Sequence, residues 1–254
     1  MLTTTLLALL LGSLIGLSLG MLGGGGSILT VPALVYVLGQ EPHAAVSASL
    51  VIVGLNAATG AWFHQRAGHV RLRSAAIFGG TGLAAAFAGA RISQLIPSAM
   101  LMLFFAMLML VVAALMLRGS SLGHTESLPV WWKVLLGGLG VGFLTGFLGV
   151  GGGFLIVPAL VLLLGMSMRD AVGSSLVVIA INSAAGLAGH LGESGVSWLL
   201  VGLLLAGGLP GLLVGTRLAQ RLPVVRLRQG FAMLVILLGS VLLAVNLPLV
   251  LRWS

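Results

Sequence analysis

Polar residues are scarce in this chain, and the ones that could do chemistry come in pairs. Ser49 and Asn56 lie seven residues apart, and Ser175 and Asn182 repeat the same spacing. On a helix that spacing puts both side chains on one face, where uncharged hydroxyl and amide donors can complete the coordination of an oxyanion. The competing role is hydrogen bonding between helices, a usual job for Ser and Asn inside a membrane. Ser47, Ser174, Thr59 and Ser183 are secondary candidates. His64 and His190 also recur and are candidates to carry a coupling proton, against the plainer reading of histidines at an interface. Arg91 and Arg217 recur near segment ends, where a long cationic side chain can snorkel to the interface. Five scattered histidines and no cysteine offer no metal-ligand spacing. No nucleophile-elbow sequence and no ATP-binding motif is present, and an enzyme is not expected.

Two glycine runs are the other candidate site. Gly23, Gly24, Gly25 and Gly26 precede Ser27, and Gly149, Gly151, Gly152 and Gly153 precede Phe154. Here the chain has no side chain to block a ligand. Ser27 and Phe154 are expected to open new helical limbs. A helix N-terminus offers free N–H groups and the positive end of a dipole, which suits an anion. Two such ends facing one another would make a small, positive, backbone-lined site. Broken backbone at membrane depth is tolerated only when buried in protein or lining a cavity, so a cavity is expected there. Close helix packing is the alternative use for the glycines.

These residues sit in a chain built for lipid. Hydrophobic residues make up 59% of its 254 residues and charged residues only 6%, against about 25% charge in a soluble domain. The mean hydropathy is +1.22. This is an integral membrane protein, and disordered, coiled-coil and disulfide-stapled classes drop out. The net charge of +8 is spread over short loops, where it orients the chain in a bilayer; no basic run fit for nucleic acid exists. The stretch Met1 to Gly20 lacks a basic n-region and is read as structural rather than as a signal peptide.

The chain repeats itself at an offset of 126 residues, Asn56 onto Asn182 and His64 onto His190. Val31-Pro32-Ala33-Leu34-Val35 returns as Val157-Pro158-Ala159-Leu160-Val161, and Phe105-Ala106-Met107-Leu108 as Phe231-Ala232-Met233-Leu234. Two halves of one ancestral unit are implied: a first repeat over 1–118, a cytoplasmic linker over 119–131 and a second repeat over 132–254. Each half reads as four apolar segments. Segment A (3–39, and 132–165 in the second half) is broken by the glycine run. The other three (43–64, 74–95, 98–118; 170–190, 196–219, 224–248) match the ~20 residues of a membrane span.

The basic residues decide the topology. If segment A is a hairpin, Arg66, Arg71, Arg73, Arg118, Lys133, Arg169, Arg217, Arg221, Arg226 and Arg228 share one side, and only Arg91 and Arg252 lie opposite. If segment A crosses once, the basic residues divide evenly. The positive-inside rule favours the hairpin. The halves are then inverted and both termini extracytoplasmic. The fold expected is an all-α polytopic membrane protein of two inverted repeats, each a Gly-broken helical hairpin plus three transmembrane helices. That is the build of many secondary transporters. A carrier using alternating access is the first reading, and an anion channel using the same helix ends is the alternative.

The segments GMLGGGGSILTVPAL at 20–34 and GFLGVGGGFLIVPAL at 146–160 carry a resemblance, as do the Ala-Val-Ser/Gly-x-Ser-Leu stretches at 45–50 and 171–176. They resemble the TauE/SafE family, the sulfite exporter and probable-membrane-transporter group, over nearly the full length. The resemblance implies a bacterial inner-membrane transporter that exports a small anion such as sulfite, sulfoacetate or a related organosulfonate. It implies no cofactor. The partners expected are the small anion and the lipid bilayer, with a homodimer allowed and no nucleic acid. Val150 interrupts the second glycine run and Gly153 stands in place of Ser27, so the two arms are unequal.

Overall fold

The structure is a computed structural model of the chain, and it describes residues 2–117, 131–148, 153–190, 195–219 and 223–251. Ten helices and no strand occur among the described residues: α1 (Leu2–Leu22), α2 (Gly25–Pro32), α3 (Pro42–Arg66), α4 (Leu72–Ser93), α5 (Ser98–Leu117), α6 (Trp131–Leu148), α7 (Gly153–Leu164), α8 (Met168–Gly189), α9 (Trp198–Ala219) and α10 (Val224–Leu251). It is an all-helical polytopic membrane protein. Five stretches, Thr3–Leu22, Pro42–Arg66, Leu72–Ser93, Met168–Gly189 and Trp198–Ala219, are long and apolar enough to cross a membrane. The expected segments all appear. Segment A is α1 plus α2 in the first half and α6 plus α7 in the second. The linker expected over 119–131 lies outside the described residues except for Trp131, which opens α6.

Local chemistry sets the boundaries. Glu41 caps α3 by accepting the Ala44 N–H at 3.0 Å, and Pro42 occupies the first turn, where its missing N–H costs nothing. Ser167, at the equivalent position of the second half, caps α8 by accepting the Asp170 N–H at 3.2 Å. Pro32 ends α2, and a π-helical turn follows over Ala33–Val37. The wide turn fits a site where a proline has removed a backbone donor. The second limbs begin earlier than expected. α2 starts at Gly25 and α7 at Gly153, not at Ser27 and Phe154. Glycine is a poor helix former in isolation, but here burial and the crowding of other backbone override propensity.

The packing follows the 126-residue offset. α1 runs parallel along α9, with Gly12, Gly16 and Gly20 set against the backbone of Leu204, Gly208 and Leu212. α6 runs parallel along α4 in the same way, with Gly138, Gly142 and Gly146 against the backbone of Phe78, Gly82 and Ala86. The offset carries one seam onto the other, pair by pair. These are small-residue seams at four-residue spacing, the arrangement that lets membrane helices approach backbone to backbone. α3 and α8 are repeat-equivalent and cross antiparallel, through Leu50–Gly186, Gly54–Ser183, Gly60–Leu176 and His64–Gly173. Equivalent helices that run antiparallel are related by an axis lying across them rather than along them. The pairs Leu50–Gly186 and Gly60–Leu176 exchange under the offset, so the midpoint of the crossing falls at Leu55 and Ile181. Large apolar side chains cover the outside, among them Leu6, Leu10 and Leu14 of α1 and Met233, Leu237, Val241 and Val245 of α10.

Candidate functional site

The first glycine bend is tight. Gly23 has φ +70°, a left-handed conformation that side chains other than glycine seldom adopt. A Cβ there would fall 2.8 Å from Ser175 Oγ and 2.9 Å from Val172 Cα on α8. The bend thus lies directly on one of the expected site residues. Beyond it, the backbone of Gly24 meets the backbone of Gly153 so closely that neither position has room for a Cβ. The two hairpins therefore touch at the N-terminal ends of their second limbs, α2 and α7. The space where a cavity was expected is, at this point, filled by backbone. Gly25 and Gly26 form the first turn of α2, and Gly26 packs on the backbone of Ile15 and Leu19. Ser27 is fully buried, and its hydroxyl donates back to the Gly24 carbonyl at 2.6 Å. Gly149, Gly151 and Gly152, like Val150, lie outside the described residues.

The polar pairs of α3 and α8 are fully buried: Ser49, Asn56, Ser175 and Asn182 all have zero exposure. Asn56 and Asn182 stand one residue from the midpoint of the α3–α8 crossing, and each faces a glycine of the opposite half. A Cβ on Gly208 of α9 would come within 2.9 Å of Asn56 Nδ2, and one on Gly82 of α4 within 3.0 Å of Asn182 Oδ1. Gly82 and Gly208 are themselves repeat equivalents. The structure does not gather the four polar residues around one point. Asn56 faces α9 and Asn182 faces α4, which makes two half-sites of the same design.

Their hydrogen bonding is incomplete, and that is informative. Asn56 Nδ2 donates to the Ile52 carbonyl at 3.0 Å, while its Oδ1 has no partner among the described residues. Asn182 has none on either amide atom, nor have the hydroxyls of Ser49 and Ser183. Ser175 Oγ donates to the Val172 carbonyl at 2.7 Å. Buried polar groups are nearly always hydrogen-bonded, because leaving one unpaired costs about 1–3 kcal/mol. A buried carboxamide with both ends free has the capacity to bind something else. Among the secondary candidates, Ser174 accepts the Arg71 N–H at 2.9 Å and Thr59 bonds its own helix at Leu55.

A family model described as sulfite exporter TauE/SafE matches residues 8–242, a span that takes in both bends and both asparagine–glycine pairs. The chain belongs to the TauE/SafE family. It is 39% identical over 233 residues to a probable membrane transporter protein of Xylella fastidiosa, strain Temecula1, covering 89% of each chain. It is 26% identical over 244 residues to the probable membrane transporter protein YdhB of Bacillus subtilis, covering 94% of this chain and 100% of that one. A probable membrane transporter protein of Methanocaldococcus jannaschii is 25% identical over 192 residues, with 73% and 72% covered. No solved structure matches the chain.

The recurrent histidines have different surroundings. His64 is half-buried near the end of α3, with Nε2 unpartnered among the described residues. His190 ends α8 and is 2% exposed, with Nδ1 at 3.0 Å from the Gly186 carbonyl and Nε2 at 3.2 Å from Ser93 Oγ. Arg91 is exposed, with its guanidinium 5.5 Å from the Phe87 ring centre; Arg217 is also exposed. No group of acidic, histidine or cysteine residues that could hold a metal occurs among the described residues. Sequence reading missed Gly82 and Gly208. Their signal was present: both recur under the offset, inside apolar segments, without belonging to either glycine run. It also missed the ionic contact of Asp170, which receives Arg71 Nε at 3.1 Å and lies 3.7 Å from His69 Nδ1.

Proposed function

We propose that this protein is a secondary transporter of the inner membrane that moves a small anion by alternating access, in the direction of export. Sulfite, sulfoacetate and related organosulfonates are the substrate class. The reading takes the halves 1–118 and 132–254 as inverted repeats joined by a cytoplasmic linker, with both termini extracytoplasmic. The antiparallel crossing of α3 and α8 supports the inversion, and membership of the TauE/SafE family supports transport of a sulfur oxyanion.

The observation that carries the proposal is the meeting of Gly24 and Gly153 at the starts of the second limbs; the carboxamides of Asn56 and Asn182, buried elsewhere on α3 and α8, add unused hydrogen-bonding capacity. Backbone N–H groups at the starts of α2 and α7 and the amides of Asn56 and Asn182 are neutral donors. Neutral donors hold a dehydrated anion without trapping it as a buried ion pair would. Gly24 and Gly153 meet backbone on backbone, so no space is open between them at that point, which favours a carrier over a channel. Anion entry then requires the two bends to part.

The test is counterflow. Purified protein in liposomes loaded with sulfite or sulfoacetate should exchange labelled anion saturably, without single-channel currents in planar bilayers. Folded protein that exchanges neither anion refutes the reading.

A further inference from the structure

We propose that His190, paired with Ser93, is the proton-binding site that couples this transporter to the pH gradient, and that its repeat equivalent His64 is not. The inference rests on the transport reading above. It begins with two helix ends pressed together. Gly189 lies so near α4 that a Cβ there would fall 2.6 Å from Ala90 Cβ and 3.0 Å from the Phe87 carbonyl. That approach lays the His190 ring against the last turn of α4. Gln94 Nε2 ties the same junction by donating to the Gly189 carbonyl at 3.3 Å. The junction joins the two halves, since α4 belongs to the first and α8 to the second.

The ring is held at both nitrogens. The Gly186 carbonyl can only accept, so Nδ1 carries a hydrogen and donates to it at 3.0 Å. Nε2 faces Ser93 Oγ at 3.2 Å, and Ser93 Oγ lies 2.8 Å from the Ala90 carbonyl. A hydroxyl has one hydrogen and can rotate. With His190 neutral, Ser93 turns its hydrogen to Nε2. With His190 protonated, Nε2–H donates to Ser93, which turns its hydrogen to the Ala90 carbonyl. Both states keep their hydrogen bonds, so a buried imidazole can gain and lose a proton without orphaning a polar atom. Protonation is simple addition at Nε2, and deprotonation returns the proton by the same route.

The other copy lacks the device. The offset carries Ser93 onto Ala219, which has no hydroxyl, and His64 Nε2 has no partner among the described residues. Among the described residues, the charged and titratable neighbours of His190 are few. On α4, Arg91 lies exposed over Phe87. At the start of α3, whose register sets Val46 and Ser47 beside His190, stand His43 and the capping Glu41. The end of α6 brings Phe147 and Leu148, which carry no charge. Glu193 lies outside the described residues.

The test uses full-length protein in liposomes with labelled sulfoacetate, whose carboxylate and sulfonate stay ionised through the histidine range. Any proton that moves is then the protein's. One pH unit drives about tenfold accumulation per coupled proton. Wild type should concentrate sulfoacetate under one sign of gradient. His190→Gln should exchange it but bring it only to equal concentrations, and His64→Gln should behave as wild type. Ser93→Ala should shift the pH at which exchange is half-maximal, which a merely structural hydroxyl would not do; an unshifted profile counts against the pair. His190→Gln that still concentrates the anion tenfold overturns the proposal, and so does wild-type exchange indifferent to pH. In those cases the transport reading survives. Absence of all exchange in folded wild type, for sulfite as well, would instead refute transport itself.

Discussion

Replacing Asn182 by leucine separates a binding role from a packing role, because the two predict opposite changes in stability. Leucine has the same branching at Cγ and no polar atoms. Asn182 has zero exposure, and neither amide atom has a partner among the described residues, so the argument does not depend on which way the carboxamide is turned. Removing an unsatisfied buried amide should recover part of its desolvation cost, about 1–3 kcal/mol. For a chain of this length that raises Tm by roughly 2–10 °C. Asn246 is the control. It is 4% exposed and donates to Tyr36 Oη at 2.6 Å and the Leu242 carbonyl at 2.8 Å. Asn246→Leu should therefore lower Tm by a similar amount. The transport assay should move the other way. Losing a neutral donor to a charged oxyanion costs about 1.5–3 kcal/mol, which raises the half-saturating anion concentration ~10–150-fold. The measurements are thermal unfolding in detergent and saturation of sulfite exchange in liposomes. If Asn182→Leu melts lower, as Asn246→Leu does, and exchange is kept, the carboxamide is interhelical glue and the half-site argument is wrong.

Gly23→Ala should abolish exchange and reduce the monodisperse fraction, since φ +70° and the nearby Ser175 Oγ and Val172 Cα leave no place for a methyl. Gly80→Ala on α4, where a Cβ meets nothing within 4 Å, should be neutral or stabilise by about 0.5–1 kcal/mol. The chain has no cysteine, so Ala67→Cys and Ser197→Cys can each be labelled alone with an impermeant thiol reagent. Labelling from opposite sides of the membrane is expected, and labelling from the same side refutes the inverted topology. Asp170→Asn removes a contact whose partner Arg71 is 68% exposed. Such pairs contribute only about 0–1 kcal/mol, so Tm should move little, and a large fall would show that the α3–α4 loop is held chiefly by this charge. Gly54→Cys with Ser183→Cys places two Cβ atoms about 3.1 Å apart across α3 and α8, close enough to bridge after a small adjustment. Oxidation should stop exchange and reduction restore it, whereas exchange that continues when oxidised would show that α3 and α8 need not separate there.

Much of this was legible because the bilayer restricts the alternatives. Apolar length and the repeat placed every helix, and the glycine runs marked both hairpins. The limb starts were misjudged by one or two residues, because Gly25 and Gly153 are poor helix formers that only tertiary contact keeps helical. The meaning of the polar pairs was half legible. Seven-residue spacing put Ser49 with Asn56 on a buried face, but a face does not say which helix it meets. Only packing reveals that Asn56 meets Gly208 and Asn182 meets Gly82. The glycine runs read first as bends lining a cavity, with close helix packing as the alternative. Much of the glycine surplus instead serves the seams, which the four-residue spacing of Gly12, Gly16 and Gly20 and of Gly138, Gly142 and Gly146 already displayed.

Those seams bear on how alternating access would work. A contact made by backbone on backbone has many atoms at van der Waals distance and no side chain to swing aside, so parting it forfeits all of them together. α1 with α9, and α4 with α6, are joined in that way, and each pair takes one helix from each half. Under alternating access, the units expected to move together are therefore these mixed pairs rather than the sequence repeats. Between α3 and α8 the contacts are of another kind: Gly54 meets a serine, and Gly60 and Gly186 meet leucine side chains. Side chains that meet glycines can slide or rotate at small cost, and the unpartnered amides lose nothing when they separate. The polar half-sites thus lie beside the side-chain-mediated crossing of α3 and α8, while the seams hold α1 to α9 and α6 to α4.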